Sequence, residues 1–135
     1  MDELRIGVVG SEDNFDKSQA KEMILEAFDK LALQHPTRTI IIVSGLTNCG
    51  VPALAYGEAV KRNWKTVGIA CSREKEHDCF PVDERIIEGE EWGDESSTFL
   101  DNIDVLVRIG GGKQSREETS GAKARGKQVM EGDFQ

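Results

Sequence analysis

Thr39-Ile40-Ile41-Ile42-Val43-Ser44-Gly45 is the stretch that decides the fold. A strand with one wet face alternates apolar and polar residues, whereas Ile40–Val43 leaves no polar face at all. Such a run fits a strand buried on both sides, the habit of a parallel sheet covered by helices. It stops at Gly45, and the loop Gly45-Leu-Thr-Asn-Cys-Gly50 leads into a helical segment with Pro52 in its first turn. Proline is tolerated there because its missing N–H has no helical partner to lose. Ala53, Ala55, Gly57 and Ala59 let that helix lie close to the sheet.

The pattern repeats outward in both directions. Towards the N-terminus, Leu4–Val9 is β-rich and ends at Gly10. The polar loop 11–16 precedes an apolar stripe at Ala20, Met23, Ile24, Ala27, Phe28 and Leu31, which is the face of a helix of about five turns. Asp16 and Gln19 have the spacing of a capping box, and Pro36 closes the helical region. Towards the C-terminus, Lys65–Ala70 reads as a third strand, Cys71–Asp83 as charged and irregular, and Glu84–Glu88 as a short strand. The segment 90–102 is acidic and helical around Ser97–Leu100. Asp104–Ile109 is a strand that runs into Gly110-Gly111-Gly112. A short helix over Ser115–Arg125 ends at Gly126 as its C′ residue, and Gln128–Glu131 is a last strand. Alternating strands and helices predict one α/β domain over 1–135, with a mostly parallel sheet and helices on both faces.

Composition removes several function classes. The formal net charge is −8, so a bulk electrostatic grip on nucleic acid is not expected. The longest strongly apolar run, near Thr39–Val43, is far too short to span a bilayer. The N-terminus carries acids where a signal peptide carries bases. Three cysteines (Cys49, Cys71 and Cys79), an odd number in a chain of 135 residues, fit a reducing, cytoplasmic setting.

Parallel sheets bind ligands beyond the carboxyl ends of their strands. Three glycine-bearing loops fall there: Gly10-Ser11, Gly45 to Gly50, and Gly110 to Ser115. Glycines let backbone N–H groups approach an anion, and helix N-termini after the second and third loops add donors and a favourable dipole. The expected ligand-binding set is Gly10, Ser11, Ser44, Gly45, Thr47, Asn48, Gly50, Gly111, Gly112, Lys113, Gln114 and Ser115. The segment 110–127 carries a local charge of +3, which suits a small anion. Tight turns between strand and helix explain any one of these loops equally well. None matches the phosphate loop ending in Gly-Lys-Ser/Thr, or GxGxxG.

Other candidates carry less. Cys71, His77 and Cys79 lack a CxxC pair and fall short of the four ligands of structural zinc, so no metal is expected. Cys49 at a helix N-terminus invites a lowered pKa, but reads more simply as a small residue lining the cleft. Trp64, Trp92 and Phe80 are candidates for stacking on a ring; Trp64 precedes its strand at the end opposite the loops and suits packing, and for Trp92 packing also comes before stacking on a ligand. Glu88, Glu90, Glu91, Asp94 and Glu95 read as a solvated acidic surface, or as ligands of a divalent cation bridging a phosphate.

Gly110-Gly-Gly-Lys-Gln-Ser-Arg-Glu-Glu118 resembles the PGGxGTxxE signature of the lysine-decarboxylase-like (LOG) proteins. These belong to the Rossmann-like SLOG superfamily, which includes molybdenum-cofactor carrier proteins. Val43-Ser44-Gly45 with Gly50 is similar to that family's second loop, and Gly10-Ser11 to its first. Asp104 sits where the family has an aspartate entering the strand, and the likeness runs from about Leu4 to Val129. The resemblance implies a Rossmann-like three-layer α/β/α fold, a homodimer, and a nucleotide or related phosphorylated small molecule as ligand. No further cofactor is required.

Many LOG proteins hydrolyse nucleoside 5′-monophosphates, using the signature glutamate and an upstream arginine on the ribose. By position the glutamate is Glu118, the candidate catalytic residue. A carboxylate there can stabilise a cationic sugar and orient water. Ser115-x-x-Glu118 is also the pattern of a capping box, a structural reason for the same residues. The position expected to hold arginine, nine residues before Asp104, is Glu95. Gln114 replaces the second glycine of the signature, Gly110 its proline and Ser115 its threonine. A carboxylate cannot replace an anion-gripping guanidinium. The expected function is therefore binding, sensing or carrying, with a divergent phosphoribohydrolase and a non-catalytic interaction protein as alternatives.

Overall fold

The computed structural model describes residues 2–135, and for 75 and 76 the backbone only. Six strands form one sheet: β1 (Glu3–Gly10), β2 (Thr39–Ser44), β3 (Lys65–Ala70), β4 (Glu84–Ile87), β5 (Val105–Ile109) and β6 (Gln128–Gly132). Their order is β4-β3-β2-β1-β5-β6, and every neighbouring pair is parallel. The connecting helices are α1 (Lys17–Gln34), α2 (Gly50–Lys61), α3 (Ser96–Asp101) and α4 (Lys113–Ala124). A short 3-10 helix, Ser72–Glu76, lies in the segment the sequence leaves irregular.

The apolar run of β2 behaves as its composition demands. Ile40 and Ile42 enter one core cluster with α1 and α2, while Ile41 and Val43 enter the other with α3 and α4. Along β1, Leu4, Ile6 and Val8 face the first cluster and Val9 the second. The fold is thus the expected Rossmann-like α/β/α sandwich. On α1 the predicted stripe is the buried face, with Ala20, Ile24, Ala27, Phe28 and Leu31 all inside. Asp16 is its N-cap, accepting from Gln19 N–H at 3.1 Å. Trp64 packs beside Phe28, ring centroids 5.4 Å apart, as its place before β3 suggests. Among the described residues, no helix is long and apolar enough to cross a membrane.

Some strand ends differ from the expected ones by a residue, and one helix start differs by two. The last helix begins at Lys113, with Gly112 as N-cap and no side chain capping it. Ser115 is therefore inside the first turn, and the Ser115/Glu118 capping box does not form. Gly112 takes the cap because the sharp turn before it uses positive φ at Gly110 (+63°) and Gly111 (+101°). Both values lie where only glycine is comfortable.

The topology fixes where a ligand can sit. The chain runs outward from β1 to β4, then crosses back to lay β5 against the other side of β1. The crevice at such a reversal is the binding position of open parallel sheets. Tyr56 of α2 braces the second loop from beneath. It is fully buried, and its hydroxyl lies 2.7 Å from the carbonyl of Gly45, to which it donates, and 3.0 Å from that of Val67. Tyr56→Phe strands those carbonyls in the core, so it should lower unfolding free energy by about 1–2 kcal/mol. Urea unfolding measures this; an unchanged midpoint and slope would contradict it.

Candidate functional site

At the β1/β5 reversal the first and third glycine loops are tied together by Ser11. Its N–H donates to Ile109 O at 3.1 Å, and its Oγ accepts from Gly111 N–H at 2.8 Å. Gly10 has to be glycine here, because a Cβ would run into the Ile109 carbonyl. The second loop joins through Val51 N–H, which donates to Ser11 O at 2.8 Å. On β5, Arg108 is 3% exposed. Its Nη1 donates to Gly110 O at 2.7 Å and to Asp133 Oδ1 at 3.0 Å, holding the glycine turn from behind.

These loops rim a cleft of about 500 Å³. Gly10, Ser11, Ser44, Gly45, Thr47, Gly111, Gly112, Lys113, Gln114, Ser115 and Glu118 all line it, as does Cys49. Asn48 does not: it is exposed and turned to Asp78, whose carbonyl accepts its N–H at 2.8 Å. Gly50 does not line it either. Its φ of +69° and its close approach to the Ser11 and Glu12 backbone make it the contact between two loops.

The hydroxyls are not equivalent. Ser44 Oγ donates to Val8 O at 2.6 Å and Thr47 Oγ1 to Glu74 Oε1 at 2.6 Å, so both protons are used within the protein. Ser11 Oγ accepts a backbone N–H, which leaves its own proton for a ligand. No side chain caps the first N–H groups of α4, and Gly112, Lys113, Gln114 and Ser115 line the cleft.

Charge is where the sequence misleads. Of the bases in 110–127, only Lys113 lines the cleft. Arg116 pairs with Asp133, Lys123 with Glu131 and Arg125 with Asp101, and Lys127 donates to Ile103 O. Glu95, read as part of a solvated acidic surface, is instead 6% exposed. Its Oε1 accepts from Gly93 N–H at 2.9 Å and its Oε2 from Gln114 Nε2 at 3.4 Å. Glu74, which the sequence gave no reason to single out, is equally buried and folds over the second loop. Glu118 makes the third buried carboxyl, its Oε2 accepting from Ser96 Oγ at 3.1 Å. Glu12 and Asp13 add two more acids to the lining. Among the described residues no cluster of His, Cys, Asp and Glu side chains is close enough to hold a metal ion.

Crowding of these carboxyls shifts their chemistry. Burial, opposed by the Ser96 hydrogen bond and reinforced by Glu95, pushes Glu118 up to about 7. Burial and Glu95 likewise raise Glu74, against the Thr47 hydrogen bond. Cys49 is raised, first by burial and then by Glu12, Asp13 and Glu74, opposite to the lowered pKa a helix N-terminus suggests. Burial, with the acidic wall added, outweighs the dipole there, which disfavours the thiolate. Trp92 is half-exposed and lines the cleft next to Glu95, with His77 tilted against it at 5.8 Å.

Solved structures supply the comparison. No protein-family model matches the sequence, and no curated protein matches it in sequence. In structure the chain is similar to the molybdenum cofactor binding protein of the phototrophic bacterium Rippkaea orientalis, with a TM-score of 0.80 at 22% identity, covering 100% of this chain and 79% of that one. It is similar to the molybdenum cofactor carrier protein of Chlamydomonas reinhardtii, with a TM-score of 0.76 at 22% identity over 96% of this chain and 76% of that one. It is also similar to the structural-genomics target TM1055, with a TM-score of 0.72 at 27% identity over 93% and 72%. These likenesses agree with the fold expected from the resemblance.

The raised Glu118 carboxyl has a consequence for stability. A group whose pKa rises from the ordinary 4.5 to about 7 on folding favours the fold below 4.5 and loses that advantage as pH climbs through 7. At pH 8 the buried charge costs on the order of 3 kcal/mol. Glu118→Gln should therefore gain about 1–3 kcal/mol on the parent between pH 5 and pH 8. Denaturant unfolding at both pH values checks this, and an equal difference at the two would contradict it.

Proposed function

We propose that this protein binds a nucleotide or a related phosphorylated small molecule, its phosphate on the α4 N-terminus, as a binding or carrier protein. One observation carries the reading: α4 opens uncapped into the cleft at the β1/β5 reversal. A helix start with unused N–H groups is a ready anion site. Ser11 Oγ–H and Lys113 supply further donors at the same rim. The structurally similar carrier proteins are named for molybdenum cofactor, itself a phosphorylated small molecule, which supports a ligand of this class.

Hydrolysis is the second reading, favoured by Glu118 alone, a buried carboxyl near neutrality in the cleft. What weighs against it is the need for a guanidinium to grip the sugar phosphate during bond cleavage. Among the described residues no arginine lines the cleft, Glu95 stands at the expected position, and Arg108 is held by Gly110 and Asp133.

Calorimetric titration with nucleoside monophosphates and with pyrophosphate tests the proposal. Binding is expected. Lys113→Glu, at a side chain 90% exposed, should weaken it about three- to tenfold, less so as salt rises. No binding by any of these ligands would overturn the reading. Release of free base that disappears in Glu118→Ala would assign hydrolysis instead.

A further inference from the structure

A second cavity, about 370 Å³, adjoins the first and shares Trp92, Lys113, Gln114 and Glu118 with it. We propose that this shared wall reads the ring of the ligand and selects a planar base presenting adjacent N–H donors, as guanine does; this rests on the phosphate-binding reading above.

The lining itself poses the problem. Among the described residues, the lining that an anion meets in the main cleft holds one lysine and five acids, Glu12, Asp13, Glu74, Glu95 and Glu118. A divalent cation could offset them, but the described acids do not come together as a metal-holding cluster. Protonation relieves such carboxyls in part, as the raised Glu118 shows; hydrogen bonds donated by a ligand relieve the ionised form. Glu118 is placed to accept. It is 8% exposed, it borders both cavities, and Ser96 Oγ engages its Oε2. A carboxylate has about four lone-pair sites, so it retains capacity for a donor pair. Gln114, hydrogen-bonded to Glu95, lines both cavities together with Glu118.

Planarity follows from Trp92. Trp92 is 49% exposed and borders both cavities. An exposed aromatic beside buried hydrogen-bond acceptors is how proteins hold an unstacked base, by stacking its face and reading its edge. An ammonium ligand would satisfy the carboxylates and could sit on Trp92 as a cation, but it brings no anionic end to the α4 N-terminus. Guanine offers N1–H and N2–H2 side by side, hypoxanthine offers only N1–H, and adenine has no such pair.

The test compares GMP, IMP, AMP and pyrophosphate by calorimetry on the intact chain at pH 8, where Glu118 is largely ionised. GMP should bind at least about tenfold tighter than IMP or AMP. Glu118→Gln should bring the GMP to IMP ratio close to one, since the amide offers one acceptor where the carboxylate offers two. Trp92→Ala, at a half-exposed ring, should weaken all three nucleotides and keep their order. AMP binding as tightly as GMP, or a ratio untouched by Glu118→Gln, would overturn the inference. Pyrophosphate binding without discrimination among nucleotides would overturn it and leave the phosphate reading standing. Failure of all four ligands to bind would remove both.

Discussion

Ser11 is the joint on which the site depends. Strands β1 and β5 are adjacent in space and about a hundred residues apart in sequence, and Ser11 ties their exits with one N–H and one Oγ. That pairing fixes the glycine turn before α4, and the turn fixes where the helix begins. Because the turn puts Gly112 at the cap, no side chain covers the first N–H groups. The donor set of the cleft is thus a by-product of closing the turn tightly. Arg108 and Asp133 hold the same turn from the other side of the sheet edge, so two independent contacts oppose its relaxation.

Against that donor set stands a wall of acid. Buried carboxylates are costly unless paired or hydrogen-bonded. Here Thr47, Gly93, Gln114 and Ser96 provide the hydrogen bonds, and among the described residues no cation pairs with them. The bases that sequence puts nearby are spent on surface ion pairs along α4 and β6. The cleft is therefore bipolar, with backbone donors at its floor and acceptors on its wall. A ligand that suits it has an anionic end and a donor-bearing end. A ligand with charge alone suits only half of it.

Most of the fold was legible in the sequence because burial on two faces leaves its mark on composition. The Ile40–Val43 run, the Ala20-to-Leu31 stripe and the Gly10, Gly45 and Gly110 breaks each follow from a local rule. The floor of the site was legible for the same reason, since glycines at strand exits mark close backbone approach. The wall was not. Glu95 sits in a run of exposed acids and differs from them only by its tertiary neighbours. Glu74 is buried by a 3-10 turn inside a segment with no periodicity. Asn48 differs in the other direction: it belongs to the same loop, but bonds to Asp78 and does not line the cleft. Side-chain direction within a loop, and charge pairing across elements, are decided by the packed structure.

The central claim is that the α4 N-terminus is the anion site. Amide chemical shifts of uniformly 15N-labelled protein, followed while pyrophosphate is added, test it most directly. The account predicts saturable shifts concentrated at Gly112, Lys113, Gln114 and Ser115, with the β4 and β6 amides unmoved. Shifts spread over the exposed lysines and arginines, growing linearly without saturation, would contradict it.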